Sequence, residues 1–245
     1  MRKRTWEMFD QERNDNSVAL LPIGSIEQHG LHAPLDTDLC IAELLAERGS
    51  EVENTFLLPS IPVGVSEYHR NFAGSLWVSP EAMKTYVGGI IESLCFQEIR
   101  KIIIVNGHGG NREPLKELAR YLPLKEDVTI YVWTWFEAIE KKVIEIFGVR
   151  PPLHADEAET AMLQALSPES VYVGKLEAST QDPPPGWGVF HEGTMISQLV
   201  DEFTETGSTG TPSKTFLENG RIMLDASVAN LKELISFLQN KRRPV

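Results

Sequence analysis

Short apolar runs alternate along the chain with longer segments in which apolar positions recur at helical spacing. The run VALLPI at 18–23 is apolar throughout, which is typical of a strand buried in a parallel sheet. The run IIIV at 102–105 is the clearest central strand, and Pro80 suits the first turn of a helix over 80–97. The pattern therefore predicts strands and helices in alternation.

The same alternation continues to the end of the chain. Further strands are predicted at 57–63, which two prolines interrupt, and at 128–133, and further helices at 38–47, 112–121, 135–147 and 156–166. Residues 174–218, which include PPPGWG at 183–188, predict a long surface excursion that serves as a lid or an oligomer contact. A C-terminal helix is predicted over 219–241. We therefore expect one domain over 1–245 with a three-layer α/β/α fold and a mainly parallel central sheet.

The amino-acid composition limits the classes of molecule that the chain is expected to bind. Its 245 residues include 23 Lys and Arg against 35 Asp and Glu, a net charge of −12, which argues against binding to nucleic acid or to an anionic membrane. No apolar run approaches the roughly 18–20 residues of a membrane helix, and no apolar stretch follows the basic N-terminus to make a secretory signal. Cys40 and Cys95 lie in helix-like segments, which predicts buried free thiols and a cytoplasmic location.

The first polar loop follows the strand at 18–23 and contains five candidate donors: Glu27, His29, His32, Asp36 and Asp38. In an extended segment Glu27 and His29 point to the same side, because side chains alternate. Asp38 reaches a helix N-terminus, where a carboxylate is favoured and could bridge two cations. Mixed imidazole and carboxylate donors suit Zn, Mn or Fe. The alternative is a polar loop with a capping Asp and a surface histidine.

The second loop, NGHGGN at 106–111, follows the strand at 102–105. Its glycines, Gly109 among them, let the backbone approach a ligand closely, and Asn111 is expected to cap the next helix. The alternatives are a glycine-rich turn with a bystander histidine and a phosphate-binding turn. Because sites form at the carboxyl ends of parallel strands, we expect His108 to meet the donors of the first loop.

The third element is HADEAET at 154–160, which begins a helix. Glu159 lies on the apolar face of that helix, and a buried carboxylate is costly unless it is paired or bound to metal, so Glu159 is a candidate ligand. Asp156 and Glu157 are expected to be helix-start charges, with Glu157 in solvent. His154 is a candidate for proton transfer or substrate contact; the alternative is a capping role.

Together GSIEQHG, LDTD, NGHGGN and HADEAET resemble the creatininase (creatinine amidohydrolase) family. The segments SEYHRNFAGS at 66–75 and GSTGTPSKTFLENG at 207–220 are also similar to family segments, so the resemblance runs from about residue 18 to 235. It implies a metal-dependent hydrolase of cyclic amides or other C–N bonds, with an α/β/α fold and two divalent metal ions per subunit. It also implies a small-molecule substrate and a homo-oligomer, usually a hexamer.

The resemblance also assigns roles to particular residues. Glu27 and His108 match ligands of one metal, His29 matches a ligand of the other, and Asp38 matches the bridging carboxylate. His154 matches the substrate-side histidine of the family.

This chain departs from creatininases proper at two places. Gly109 and Gly110 stand where creatininases have a Tyr-Glu pair whose Glu ligates metal, and residues 151–153 (PPL) stand where they have a Trp-Asp pair. Both departures argue against creatinine as the substrate. Our hypothesis is that Glu159 supplies the missing oxygen donor at the catalytic centre.

Several further residues are candidates for the substrate side of the site. His69 and Ser75 are expected to reach it from their own loop, beside Gly109 and His154; the alternative for His69 is a surface role. His191 is expected to be unrelated to catalysis. Of the aromatic residues 133, 135 and 136, at least two are expected in the core.

Three functions remain open from the sequence. The first is a dinuclear amidohydrolase of a small cyclic amide or formamide, acting through a metal-activated water; family relatives include formamidopyrimidine deformylases. The second is a peptide-processing metallohydrolase, which would need an open groove. The third is a catalytically silent, oligomeric binding protein.

Overall fold

The computed structural model describes residues 1, 4–148, 154–181, 190–191, 194–195 and 199–241. The segments 151–153 and 183–188, on which two of the sequence interpretations depend, lie outside the described residues. The side chain of His191 lies outside them as well.

The described elements alternate as predicted. The strands are β1 (Val18–Ile23), β2 (Thr55–Leu57), β3 (Lys101–Asn106), β4 (Thr129–Thr134), β5 (Phe190–His191) and β6 (Thr194–Met195). The α-helices are α1 (Trp6–Glu12), α2 (Thr37–Gly49), α3 (Pro80–Phe96), α4 (Arg112–Tyr121), α5 (Trp135–Ala138), α6 (Glu140–Phe147), α7 (Glu157–Leu166), α8 (Leu176–Ser179) and α9 (Leu217–Asn240).

The central sheet has four parallel strands in the order β2-β1-β3-β4. Ile23 at the end of β1 lies opposite Asn106 at the end of β3, which in turn lies opposite Thr134 at the end of β4. The loops that follow β1 and β3 therefore leave the same edge of the sheet side by side. β5 and β6 pair in a separate antiparallel ribbon.

Each face of the sheet is covered by its own core. Val18 and Leu20 pack with residues of α2, α7 and α9 on one face, whereas Ala19 and Leu21 pack with residues of α3 and α4 on the other. This alternation follows from the two-residue period of a strand. The prediction of a three-layer α/β/α fold around a parallel sheet is confirmed.

Two predicted elements differ in the structure. The strand predicted over 57–63 ends at Leu57, and beyond it only Ile61 forms a bridge with β1, because prolines on either side cannot donate to the ladder. The helix predicted over 135–147 divides into α5 and α6 at Ile139, whose backbone leaves the helical region (φ −115°, ψ 21°). Ile139 is buried in the core, so packing overrides the helical periodicity there.

Three aromatic residues next to the strand end belong to the core rather than to an open pocket: Trp133, Trp135 and Phe136. Among the described helices, none has both the length and the apolar character that crossing a membrane requires.

Candidate metal centre

Four of the predicted donors meet at the edge where β1 and β3 end. Glu27 and His29 come from the loop after β1, Asp38 from the first turn of α2, and His108 from the loop after β3; all four are buried. Glu27, Asp38 and His108 offer one donor atom each, and these atoms lie within 4.8 Å of one another. His108 Nδ1 lies 2.9 Å from Asp38 Oδ2, and His108 Nε2 lies 3.2 Å from Glu27 Oε2.

A second donor set shares Asp38 with the first. It consists of His29, Asp38 and Glu159, with His29 Nε2 3.4 Å from Asp38 Oδ1 and 3.5 Å from Glu159 Oε2. Glu159 thus points at the site from α7, on the buried face that its spacing indicated. The donor atoms of Glu27, His29 and His154 also lie within 4.8 Å of one another, and His154 Nδ1 is 3.7 Å from Glu27 Oε1.

Three histidines of the site each have one ring nitrogen at a main-chain carbonyl oxygen. His29 Nδ1 lies 3.0 Å from the carbonyl of Glu27, His108 Nε2 lies 3.0 Å from that of Val65, and His154 Nε2 lies 2.7 Å from that of Gln28. Since a carbonyl only accepts, the nitrogen beside it carries the proton, and the other nitrogen of each ring faces the carboxylates. Metal-binding histidines in proteins are oriented in this way.

The carboxylates and imidazoles shift one another's pKa strongly. Burial alone would lower the pKa of His29, but the carboxylates of Glu159 and Asp38 raise it well above its usual range. Burial likewise opposes the charged form of His108, yet Glu27 and Asp38 raise its pKa to about 9. Burial would raise the pKa of Asp38, but the two histidines hold it below the usual range. The site therefore stabilises positive charge next to Asp38.

The donor atoms also lack the partners that buried polar atoms normally have. Glu27 Oε1, His29 Nε2 and Asp38 Oδ2 are all buried and make no hydrogen bond of good geometry with any described residue. Burial raises the pKa of Glu27 to about 7, which reflects the cost of an ionised carboxylate there. Unpaired imidazole and carboxylate donors that converge in this way fit a divalent cation such as Zn, Mn or Fe.

His69 and His154 differ from the other two histidines in charge. Burial, with a contribution from His29, lowers the pKa of His154 well below its usual range. Burial and then the neighbouring His154 lower the pKa of His69 as well. Both rings are therefore neutral at pH 7, and their centroids lie 4.4 Å apart. A neutral imidazole can accept a proton or donate a hydrogen bond.

A segment far along the chain holds His154 and Glu159 in place. Thr209 Oγ1 accepts from the N–H of His154, and Ser208 Oγ donates to the carbonyl of Ala155. Ala155 has a left-handed backbone (φ +48°), and its N–H donates to Glu159 Oε2 at 2.8 Å. Residues with such strained backbone cluster at functional sites.

Asp156 and Glu157 stand at the start of α7 as predicted, but the prediction that Glu157 lies in solvent is wrong. Glu157 is 4% exposed, because its Oε2 accepts from the N–H and the hydroxyl of Thr211. Asp156 caps α7, since its carboxylate accepts from the N–H of Glu159 at 2.8 Å.

Asn111 does not cap α4 as predicted. Its side-chain oxygen accepts from the N–H of Val65, and its side-chain nitrogen donates to the carbonyl of Gly24. Asn111 therefore ties the loop after β3 to the loop after β1 and to the segment that carries His69, which fixes the relative positions of the donors.

The remaining predicted residues surround the donor sets. His69 is buried with Nε2 3.2 Å from Glu27 Oε1, whereas Ser75 accepts from the N–H of Gln28 and lies outside the donor sets. A Cβ at Gly109 would meet no atom of the described residues within 4 Å, so within that part of the chain this glycine borders open space. At Gly110 a Cβ would lie 2.1 Å from the carbonyl oxygen of Val65, so a glutamate could not stand there without movement.

Two site residues were missed at the level of sequence. Gln28 stands between two predicted ligands, and its side-chain nitrogen lies 2.9 Å from His69 Nδ1. Tyr68 has its hydroxyl 3.2 Å from His108 Nε2. Both lie next to predicted residues, which is the only signal that the sequence offers. His32, by contrast, is buried against Thr160 and outside the donor sets.

Comparison with known proteins identifies the family of the chain. The family model "Creatininase: Creatinine amidohydrolase" matches residues 2–235. The "Mycofactocin precursor peptide peptidase" of Mycobacterium ulcerans is 32% identical over 174 residues, which cover 67% of this chain and 64% of that protein, a little under two thirds of its length. The protein of the same name from Mycobacterium tuberculosis is 30% identical over 224 residues, 85% of this chain and 80% of that protein.

A crystal structure of creatinine amidohydrolase (creatininase) superimposes with a TM-score of 0.81 at 19% identity, over 98% of this chain and 97% of that chain. At that identity the likeness shows a common fold. The family match over residues 2–235 shows more, because it covers nearly the whole chain: this protein belongs to the creatininase family.

Proposed function

We propose that this protein hydrolyses the C–N bond of an amide with two divalent cations, Zn, Mn or Fe, held by two donor sets that share Asp38. The observation that carries the proposal is the convergence of Glu27, Asp38 and His108 with His29, Asp38 and Glu159 around buried, unpaired donor atoms. Two cations in such a site lower the pKa of a bound water and polarise the carbonyl that it attacks.

The side chains of the protein then have separate tasks. Asp38, between the two sets, fixes their spacing, and Glu159 completes the second set in place of the glutamate that Gly110 replaces. His154 is the proton-transfer group: its Nδ1 faces Glu27 Oε1 at 3.7 Å, and the neutral ring can accept the proton that the attacking water loses. The same ring can return this proton to the departing nitrogen, as a general base and then an acid.

For the substrate we propose a small cyclic amide or a formamide, bound beside His69, Ser75, Gly109 and His154. The support is that His69 and His154 are buried beside the donors, 3.2 Å and 3.7 Å from Glu27 Oε1, where they offer polar contacts to a small polar substrate. Creatinine itself is disfavoured by the departures at Gly109 and Gly110.

A second candidate is the cleavage of a peptide amide. It is favoured by the two relatives at 30–32% identity, both named for a precursor peptide, and by the open space beside Gly109, where a longer chain could enter. The chemistry at the two donor sets is the same for both candidates, so only the substrate differs.

We further propose a homo-oligomer, and by family resemblance a hexamer. Large apolar side chains are exposed close to the first loop, where Leu31, Leu76 and Trp77 are 49%, 53% and 45% exposed. Exposed apolar patches mark interaction surfaces. Light scattering after size exclusion measures the number of subunits directly, and a monomer would contradict this proposal.

Metal quantification followed by a substrate screen tests the proposed function. The purified protein is loaded with Zn, Mn or Fe and assayed on creatinine, formamidopyrimidines, lactams, hydantoins and short peptides. We expect hydrolysis of one class, and its loss in His29→Ala with the fold retained. Retained activity in His29→Ala would contradict the two-cation site. A folded protein with negligible metal and no activity after metal is added would instead favour a silent binding protein.

A further inference from the structure

The tautomer of His69 is determined by Gln28. The side-chain oxygen of Gln28 accepts from the N–H of Gly30 at 3.0 Å, and its side-chain nitrogen donates to the carbonyl of Gly207 at 3.1 Å. A backbone N–H only donates and a carbonyl only accepts, so these two contacts fix which end of the amide is oxygen and which is nitrogen.

The amide nitrogen of Gln28 has one hydrogen left, and two histidines lie close to it. His154 Nε2 is 2.9 Å away and His69 Nδ1 is also 2.9 Å away. His154 Nε2 lies only 2.7 Å from the carbonyl of Gln28, however, so that nitrogen is itself protonated and cannot accept. The remaining hydrogen therefore goes to His69 Nδ1, and the proton of that ring is on Nε2.

His69 and His154 consequently present a hydrogen-bond donor and an acceptor, respectively, to the same region beside Glu27. Their rings lie side by side with centroids 4.4 Å apart. His154 Nδ1 and His69 Nε2 lie 3.7 Å and 3.2 Å from Glu27 Oε1. His154 offers a lone pair there, whereas His69 offers an N–H. Gln28 determines both tautomers, since its main-chain carbonyl accepts from His154 Nε2 and its side-chain amide donates to His69 Nδ1.

The N–H of His69 is not used by Glu27. Although 3.2 Å separates His69 Nε2 from Glu27 Oε1, that oxygen has no hydrogen-bond partner of good geometry in the described part of the chain, so the N–H does not point along this line. His69 Nε2 lies beside the donor sets, 3.2 Å from Glu27, with its N–H available to another acceptor. A fixed N–H donor at that position suits the oxygen of a carbonyl that gains negative charge during attack.

We propose that Gln28 is a positioning residue that fixes the neutral tautomer of His69, so that His69 donates its Nε2–H to the carbonyl oxygen of the substrate. His69 is then a hydrogen-bond donor and not a metal ligand. The part that concerns the substrate rests on the proposed amide hydrolysis, whereas the tautomer stands independently of it.

The loop at 204–209 stabilises the orientation of the Gln28 side-chain amide. Gly207 has a left-handed backbone (φ +90°), and a Cβ there would lie 1.7 Å from the side-chain oxygen of Gln28. Only glycine lets the backbone lie directly on the amide, and this close approach places the Gly207 carbonyl where it accepts from Gln28. The conformation of this glycine thereby selects the orientation of the amide.

Long-range proton–nitrogen NMR on the metal-free full chain, labelled at its six histidines, tests the tautomer directly. His69→Gln identifies the His69 signals by their absence. We expect the wild-type ring to carry its proton on Nε2. Gln28→Glu, whose carboxylate only accepts, should move that proton to Nδ1, and Gln28→Met should leave a mixture. A wild-type ring protonated on Nδ1 would overturn the proposal.

Gln181→Met is the matched control for the NMR series. Gln181 also donates its side-chain amide to a backbone carbonyl, that of Phe203 at 2.8 Å, but among the described side chains it makes no such contact with a histidine. The same substitution there should leave the His69 tautomer unchanged. If Gln181→Met disturbed His69 as much as Gln28→Met does, the effect would be general and Gln28 would not be the cause.

Kinetics and metal content of the loaded protein test the donor role. His69→Ala should lower kcat by about 100- to 1000-fold, the usual effect of removing one such donor, with little change in KM. His69→Gln should retain activity within about tenfold of wild type, since the glutamine amide places an N–H near the position of Nε2, and His69→Asn should not. Both His69→Gln and His69→Ala should keep two metal equivalents.

Two outcomes overturn the donor role: a His69→Gln protein as inactive as His69→Ala, or a loss of metal from either. If the wild-type protein hydrolyses no amide at all, the proposed function fails and with it the donor role. In that case the NMR result still decides whether Gln28 sets the tautomer.

Discussion

Asp38 is the one residue that both donor sets share, which makes its neutralisation the sharpest perturbation of the site. Asp38→Asn keeps the volume of the side chain and removes its charge, so both cation sites should be lost together. Glu159→Gln should remove only the set that contains His29. Comparing the two variants therefore distinguishes a site for two cations from a site for one.

The expected magnitudes follow from mass action. A cation at 100 times its dissociation constant stabilises the folded protein by about 2.7 kcal/mol per site, so two sites contribute about 5 kcal/mol. For a chain of 245 residues each kcal/mol raises Tm by about 2–4 °C. Saturating metal should therefore raise the Tm of the wild-type protein by about 10–20 °C, that of Glu159→Gln by about half as much, and that of Asp38→Asn hardly at all.

Thermal unfolding of chelator-treated protein, before and after addition of Mn or Zn, measures these shifts, and elemental analysis of the same samples gives the metal equivalents. Glu157→Gln is the matched control. Glu157 is a buried glutamate of the same helix as Glu159, but it accepts from Thr211 and belongs to neither donor set. Its substitution should lower the starting Tm and leave the metal-induced rise intact.

Two results would refute this reasoning. Two equivalents of metal in Asp38→Asn, with the full rise in Tm, would show that the carboxylate is not shared. An undiminished rise in Glu159→Gln would show that another residue supplies the oxygen donor of the second set.

Three further outcomes are expected. In the absence of metal, Glu27 and Asp38 raise the pKa of His108 to about 9, so His108 is protonated at neutral pH and a cation must displace that proton. Metal affinity should therefore rise with pH between 6 and 8. Calorimetry in buffers of different ionisation enthalpy should detect the released proton. Glu157→Ala leaves the N–H and the hydroxyl of Thr211 without their buried acceptor, and denaturant unfolding should show a loss of about 2–4 kcal/mol. Gly207→Ala, which forces a Cβ against the amide of Gln28, should lower kcat while CD spectra show the fold retained.

The sheet and its flanking helices were predictable because apolar residues recur along the sequence at the spacing of buried positions in strands and helices. Val18–Ile23 and the strand at 102–105 are apolar throughout, and the structure buries every residue of β1 and β3. Glu159 could be placed on a buried face for the same reason, since the spacing of a helix alone decides which residues share a face. Such local rules do not depend on distant contacts.

Tertiary partners decided the features that the sequence did not reveal. Glu157 is polar and was expected in solvent, yet Thr211, more than fifty residues away, buries it with two hydrogen bonds. Asn111 was expected to cap a helix, but Val65 and Gly24 claim its side chain instead. The residue pattern of one segment does not indicate a hydrogen-bond partner that lies in a distant segment.

The candidate site was predictable in its donors but not in their orientation. Residue types at strand ends indicated Glu27, His29, Asp38 and His108, and the structure brings these side chains together. Which nitrogen of each ring faces the carboxylates depends on carbonyl positions, and every residue has the same carbonyl, so the sequence carries no trace of it.

Main-chain carbonyls of Glu27, Gln28 and Val65 orient the rings of His29, His154 and His108. A carbonyl oxygen is unaffected by the identity of its side chain, so these anchors depend on the path of the loops alone. Residues that border the open space beside Gly109 can therefore change through evolution while the reactive centre keeps its geometry. Under the proposed function, the fold separates the residues that determine the reaction from those that select the substrate, so the same scaffold can acquire new substrates by small steps.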